Sequence, residues 1–177
     1  QHMGSIVTHV DRGWLEVRDR AGQQTRYDAN TVLWTAGVEA PPVAEALARA
    51  TGAQRDKAGR ILVEKDLTVP GHPEIFVLGD AANFTHGPEG TLPGVCPVAM
   101  QMGTYAAHVV RDAVRGRTGR RPFHYWNKGE LAVIGRGRAV ANIWRLRFGG
   151  MLAWLAWIFV HIFFLIGFRN RLIVMIE

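Results

Sequence analysis

The sequence predicts an α/β fold. Three observations lead there: short apolar, β-rich runs that stop at glycine or other small residues, helix-period stretches set between them, and globular composition. The 177 residues are 48% hydrophobic and 20% charged, with 20 Gly and 8 Pro, and suffice for a hydrophobic core in one ordinary domain or two small ones. One cysteine excludes an internal disulfide framework, a cysteine-rich zinc site and a C-x-x-C redox pair, so any redox chemistry belongs to a bound cofactor.

Taken in order, the first five residues, Gln1-His2-Met3-Gly4-Ser5, read as an expression-vector remnant, and no secretory signal follows them. Ile6-Val7-Thr8-His9-Val10 and Trp14-Leu15-Glu16-Val17-Arg18, separated by Asp11-Arg12-Gly13, predict two strands with a Gly-containing turn. Thr31-Val32-Leu33-Trp34 is a further apolar run that closes on Thr35-Ala36-Gly37, and a helix opens at Pro41-Pro42 and stops at Gly52. Residues 60–64 and 74–78 predict two more strands, the second apolar enough for the centre of a sheet covered on both faces. After the Gly/Pro-rich loop 86–97, residues 98–115 turn helical, with Val98, Met102, Tyr105 and Val109 as the apolar stripe.

The breaker-rich, basic stretch 117–122 reads as a linker into a C-terminal unit. There, residues 131–134 and 139–143 flank Gly135-Arg136-Gly137-Arg138 and predict a β-hairpin with arginines at its tip. Residues 148–168 hold seven of the 17 aromatic residues and no Asp, Glu, Lys or Arg, and predict one apolar helix of about 31 Å, the thickness of a bilayer core. His161 is its one ionisable group, expected to be a hydrogen-bonded packing residue on the face of Trp154, Trp157 and Leu165. The chain opens within a strand pattern and stops at Glu177 without a cap, so a piece of a longer protein is expected.

Charge follows the same gradient. Residues 1–110 carry 9 Lys/Arg against 12 Asp/Glu, and residues 111–177 carry 12 against 3. A basic half joined to a long uncharged segment points to an anionic membrane surface rather than to nucleic acid. The seven histidines show no metal-ligand spacing, and the phosphate-loop and serine-elbow patterns are absent, so metal, nucleotide-hydrolysis and esterase chemistry lack their parts.

The most informative segment is Ile75-Phe76-Val77-Leu78-Gly79-Asp80-Ala81-Ala82. Gly79 lets backbone approach a ligand, Asp80 offers an acceptor to a sugar or ribityl hydroxyl, and Ala81 and Ala82 leave room for a wide, flat group. Gly-Asp is also a common turn pair, so the segment by itself reads equally as a strand ending in an Asx-type turn. Thr35-Ala36-Gly37 closes its own run with small residues, a second edge that would admit a cofactor at the carboxyl end of a sheet.

With these two edges in this order, the chain resembles the two-dinucleotide (Rossmann-like) flavoprotein reductases, in which a strand ending T-A-G returns from the NAD(P)H domain and a later strand ending G-D-A holds the flavin. More narrowly, it resembles the C-terminal half of type II NADH dehydrogenases, the non-proton-pumping NADH:quinone oxidoreductases. Gln101, in Pro97-Val98-Ala99-Met100-Gln101, matches the second glutamine of that family's A-Q-x-A-x-Q pattern, and Pro97 stands where the first one lies. Lys128-Gly129-Glu130-Leu131-Ala132 is similar to its K-G-x-L-A segment.

The resemblance implies an FAD-dependent enzyme that takes a hydride from NADH and passes electrons to a membrane quinone, with no side chain as nucleophile. It divides the chain into the end of the NAD(P)H domain and return strand (6–37), the C-terminal part of the FAD domain (38–116), and a C-terminal β-hairpin with an apolar, membrane-associated helix (117–177). It implies Gly79, Asp80, Ala81 and Ala82 at the flavin, Ala36 and Gly37 between flavin and nicotinamide, Lys128 as a cation near the flavin ring, and Pro97, Gln101 and Leu131 at the quinone. It also implies peripheral attachment to the cytoplasmic face of the membrane and is compatible with a homodimer. The 177 residues alone are expected to be inactive. Two alternatives stay open: a soluble FAD-dependent NAD(P)H reductase of another acceptor, to which Pro97 points, and a non-catalytic membrane-attachment module.

Overall fold

The computed structural model describes residues 3–35, 37–88, 90–144 and 146–164. The chain forms two compact units that divide between Ile61 and Leu62.

The first unit begins with an antiparallel sheet of β1 (Ile6–Asp11), β2 (Trp14–Arg18) and β3 (Gln24–Asp28), in that order. Arg12 and Gly13 make the first turn, where Gly13 takes a φ of 86° that suits only glycine without strain. The expected pair therefore gains a third strand. Asp19 makes the second turn: its carboxylate accepts the Gln23 N–H at 2.9 Å while its own N–H donates to the Gln23 carbonyl at 3.0 Å. Residues 31–34 are not a strand, contrary to expectation; among the described residues no strand pairs with them, and Leu33 and Trp34 are exposed. An apolar run needs a ladder partner for its N–H and C=O groups before it becomes a strand. Helix α1 (Pro42–Thr51) starts on proline and ends at Gly52, whose left-handed backbone lets its N–H close on the Ala48 carbonyl at 2.8 Å.

The short strand β4 (Ile61–Leu62) lies at the division. In the second unit, β5 (Thr68–Val69) pairs antiparallel with β6 (His72–Phe76) across Gly71. Among the described residues β6 has this one partner, so the segment 74–78 is not the centre of a covered sheet as expected; Glu74 stays exposed while Val77 is buried beyond the strand end. A single turn (Gly79–Ala81) leads to β7 (Ala82–Asn83), whose Asn83 carbonyl accepts the Val63 N–H at 3.2 Å. Helix α2 (Cys96–Val114) buries Val98, Met102 and Ala106. Ala106 replaces Tyr105 at the centre of the stripe, and Tyr105 instead donates its hydroxyl to the Arg121 carbonyl at 2.5 Å. Phe84, Leu67, Val69 and Met102 are the fully buried side chains of this core.

The C-terminal part forms β8 (Glu130–Gly135), β9 (Arg138–Ile143), β10 (Leu146–Gly150) and helix α3 (Met151–Phe164). The three strands make an antiparallel sheet with β9 in the middle. Here too a predicted hairpin gains a strand. Residues 148–168 are not one helix: Phe148, Gly149 and Gly150 belong to β10, and Gly150 takes a φ of 72°, which a right-handed helix cannot use. The described helix is 14 residues, about 21 Å at about 1.5 Å per residue, and residues 165–168 lie outside the described residues. No helix among the described residues is long and apolar enough to cross a membrane. Ala153, fully buried, meets Ala139 and Ala141 of β9, with Leu131, Ile143, Phe148 and Trp154 packed around them. His161 bonds within its own helix, Nδ1 to the Trp157 carbonyl at 2.8 Å, with its ring 3.9 Å from that of Trp157.

Candidate functional site

The candidate site in the second unit is built where β6 gives way to α2. Leu78 is still extended, and Gly79 then takes a φ of 62°, which turns the chain sharply enough to present Asp80 on an exposed ledge. Two glycines make this ledge specific. A Cβ on Gly79 would lie 3.2 Å from the Ala99 Cβ of α2, and a Cβ on Gly94 would lie 3.1 Å from the Asp80 carboxylate oxygen. The Gly79 N–H donates to the Met102 thioether at 3.2 Å, so the turn is held by α2 from beneath. Among the described residues the Asp80 carboxylate has no hydrogen-bond or ion-pair partner, and it is exposed. An acceptor-only carboxylate with lone pairs to spare, set beside small residues, is chemically suited to a ligand hydroxyl.

The start of α2 supplies the second part. Val95 precedes the first turn without a side-chain cap, Pro97 occupies an early helical position where no N–H is required, and the helix dipole favours negative charge there. Gln101, one turn further along, is half-buried and spends both ends of its amide on one residue. Its Nε2 donates to the Trp126 carbonyl at 3.0 Å, and its Oε1 accepts the Trp126 N–H at 3.0 Å. Lys128 follows with its Nζ 5.7 Å from the Trp126 ring centre, within cation–π range. Gly129, with φ 96°, bonds through its N–H to the Asn127 side chain at 2.9 Å and lies so close to β9 that a Cβ would fall 2.7 Å from the Ile143 Cα.

The structure thus brings Gly79, Asp80, Pro97, Gln101 and Lys128 into one unit, linked through α2. Ala81 is half-buried and Ala82 buried at the start of β7. Leu131 lies in the β8–β9 and α3 cluster, where it supports the strand that follows Lys128. Gly37, with φ 88° and open space around it, belongs to the first unit, and Ala36 lies outside the described residues. Sequence reasoning missed Gly94, Met102 and Trp126. The Pro93-Gly94 pair is a usable signal for the first; Met102 reads as part of the apolar stripe, and the Met102–Gly79 and Gln101–Trp126 contacts have no sequence signature.

Open clefts in this unit lie elsewhere. One of about 370 Å³ is lined by residues such as Lys65, Asp66, Gly71 and Arg120, and one of about 540 Å³ lies on the face of the β8–β9–β10 sheet that carries Val140 and Asn142. Asp66 anchors the first: burial raises its pKa, but hydrogen bonds from the Thr68 hydroxyl, Arg120 and the Thr68 N–H outweigh this and hold it below the ordinary aspartate value. The Asp80 turn is a backbone ledge rather than a hollow. Gly79 and Gly94 keep it clear, and among the described residues its carboxylate is unpaired.

With this geometry in place, the comparisons with known proteins become specific. Residues 2–103 match the pyridine nucleotide-disulphide oxidoreductase family, and residues 126–177 match the NDH2 C-terminal domain. The chain belongs to the pyridine nucleotide-disulphide oxidoreductase family. Within it, the relatives it is similar to are type II NADH:quinone oxidoreductases: NdhA of Mycobacterium tuberculosis is 41% identical over 174 residues, 96% of this chain and 36% of the relative. Ndh of the same organism is 38% identical over 172 residues, again 36% of the relative, and the Staphylococcus epidermidis enzyme is 31% identical over 141 residues, 78% of this chain and 33% of the relative. The chain thus spans about a third of the length of these curated relatives.

Solved structures share the fold. NDH2 from Plasmodium falciparum in complex with NADH superposes with a TM-score of 0.77 at 15% identity, over 96% of this chain and 48% of that one. The sulfide:quinone oxidoreductase of Aquifex aeolicus gives 0.70 at 15% identity, over 94% and 41%.

Proposed function

We propose that the protein carrying this chain is an FAD-dependent NADH:quinone oxidoreductase. The flavin supplies the two-electron chemistry, taking a hydride from NADH and passing electrons on to a membrane quinone. The observation that carries the reading is the Gly79 turn, which is clamped onto α2 yet leaves the Asp80 carboxylate unpaired among the described residues. Asp80 accepts a hydrogen bond from a cofactor hydroxyl, Gly79 and Gly94 keep the approach clear, and Ala81 and Ala82 leave space beside it. The start of α2 presents its positive dipole end to the same place. Ala36 and Gly37 serve the passage between flavin and nicotinamide. Pro97, Gln101, Lys128 and Leu131 form the quinone side, where Lys128 is the cation near the ring.

Exposed Leu152, Leu155, Phe159 and Phe163 on α3, together with the basic Arg136, Arg138 and Arg147, support peripheral attachment to an anionic membrane surface, and the resemblance places that attachment at the cytoplasmic face. Flotation of the full-length protein with vesicles of anionic lipid tests this; protein that stays lipid-free and soluble without detergent would count against it.

The test of the catalytic reading is the visible absorbance of the full-length protein. A flavin band is expected to bleach on anaerobic addition of NADH and to return when a short-chain quinone is added. A colourless protein would reduce the Asp80 ledge to a simple turn and favour a membrane-attachment module. A band that bleaches with NADH but returns only with a non-quinone acceptor would favour the soluble reductase, the reading that Pro97 supports by replacing the first glutamine. The 177-residue chain by itself is expected to oxidise no NADH.

A further inference from the structure

We infer that Gln101 is a positioning residue, which fixes the segment carrying Lys128 against α2 by clamping the Trp126 backbone; this rests on the quinone-reductase reading above. Both polar ends of the Gln101 amide are engaged with the N–H and C=O of one residue, at 3.0 Å each, as a neighbouring strand would engage them. Three residues later, Gly129 is fixed from the other side, by the Asn127 side chain at 2.9 Å and by its close approach to the β9 backbone. Lys128 therefore sits between two anchored residues. Its side chain is exposed, but its Cα is held, and its Nζ rests over the ring of the clamped tryptophan at 5.7 Å.

The other end of the clamp is equally defined. Gln101 and Met102 are consecutive on α2, and Met102 accepts the Gly79 N–H at 3.2 Å. Two adjacent residues of α2 thus hold the Gly79 turn and the lysine segment. Truncating the amide leaves the helix intact but releases the lysine segment from its anchor on α2. Placement of this kind affects the productive geometry of an acceptor more than the stability of the fold.

A double-mutant cycle with Lys128 tests the inference in the full-length, flavin-loaded protein. Gln101→Met removes both hydrogen bonds, and Gln101→Glu keeps the acceptor for the Trp126 N–H but loses the donor. Gln101→Met is expected to raise the KM for a short-chain quinone roughly tenfold, the scale of one or two net hydrogen bonds. Lys128→Met is expected to raise it similarly, and the double variant to be no worse than the poorer single one. Gln101→Glu should fall between Gln101→Met and wild type.

Hydrogen exchange at the Trp126 amide supplies a readout independent of turnover. It is expected to be slow in wild type and fast in Gln101→Met. Multiplicative effects on KM would overturn the inference, because Gln101 would then act on the acceptor without Lys128. Unprotected exchange at Trp126 in wild type would overturn it as well. A wild-type protein that reduces no quinone would instead remove the functional reading, and exchange at Trp126 would still decide whether the clamp exists.

Discussion

Under the proposed function Asp80 supplies the polar group and Gly94 makes room for it. Replacing Asp80 by alanine removes an acceptor worth about 1.5–3 kcal/mol when it is charged, so flavin retention should weaken by roughly tenfold to a hundredfold. The ratio of visible to ultraviolet absorbance after dialysis measures this. Gly94→Ala should give a milder version, because its new methyl group meets the movable end of the Asp80 side chain rather than backbone. An unchanged flavin ratio in Asp80→Ala would remove the carboxylate from the site. Gly129 is different in kind: its φ of 96° and its contact with the β9 backbone leave nothing free to move. Gly129→Ala is expected to cost more than about 2 kcal/mol, read from a denaturant midpoint; a surface-like change of less than about 0.5 kcal/mol would refute the close packing.

The strands and helices were legible where their boundaries are made by glycine or proline. Helix α1 begins on Pro42 and ends on Gly52, and the β8–β9 turn centres on Gly137, all of them readable. Strand β10 was not, because the turn before it uses Trp144 in the left-handed region at φ 54°, a residue with no turn preference. Its Phe148-Gly149-Gly150 end then looked like the start of the apolar helix, although two consecutive glycines favour the strand end and delay the helix to Met151. Packing follows from that junction, since α3 places Ala153 against Ala139 and Ala141 with no space to spare. Ala153→Leu should overpack this contact and destabilise by about 1–3 kcal/mol, visible as a lower melting temperature. A melting temperature equal to wild type would mean that α3 does not rest on the sheet through this residue.

Across the chain as a whole, the site was legible to the extent that local backbone carries it. Gly79-Asp80-Ala81-Ala82 announces a turn after a strand from four residues, whereas the Gln101–Trp126 pairing joins residues 25 apart and leaves no trace in periodicity. The paired carboxylates divide in the same way, Asp56 finding its partner four residues on and Asp66 finding its own in a distant segment. In the first unit Asp56 is partly desolvated, which raises its pKa, but hydrogen bonds from the Arg60 backbone and guanidinium prevail and hold it low; in the second, Asp66 receives Arg120 at 3.2 Å across 54 residues. Both folded-state values lie below the ordinary aspartate value of 3.8. The folded chain therefore keeps these groups ionised where the unfolded chain has begun to bind protons, so their stabilisation is complete above that value and is lost as the pH falls through the lower folded one. Asp66→Asn should lower the thermal midpoint at neutral pH and converge with wild type once the pH falls below the folded aspartate value, since the protonated aspartate and the asparagine are then equally uncharged toward Arg120. Midpoints that stay parallel over the whole range would show that Arg120 draws its hold from the Pro73 carbonyl, at 2.6 Å, and not from the charge of Asp66.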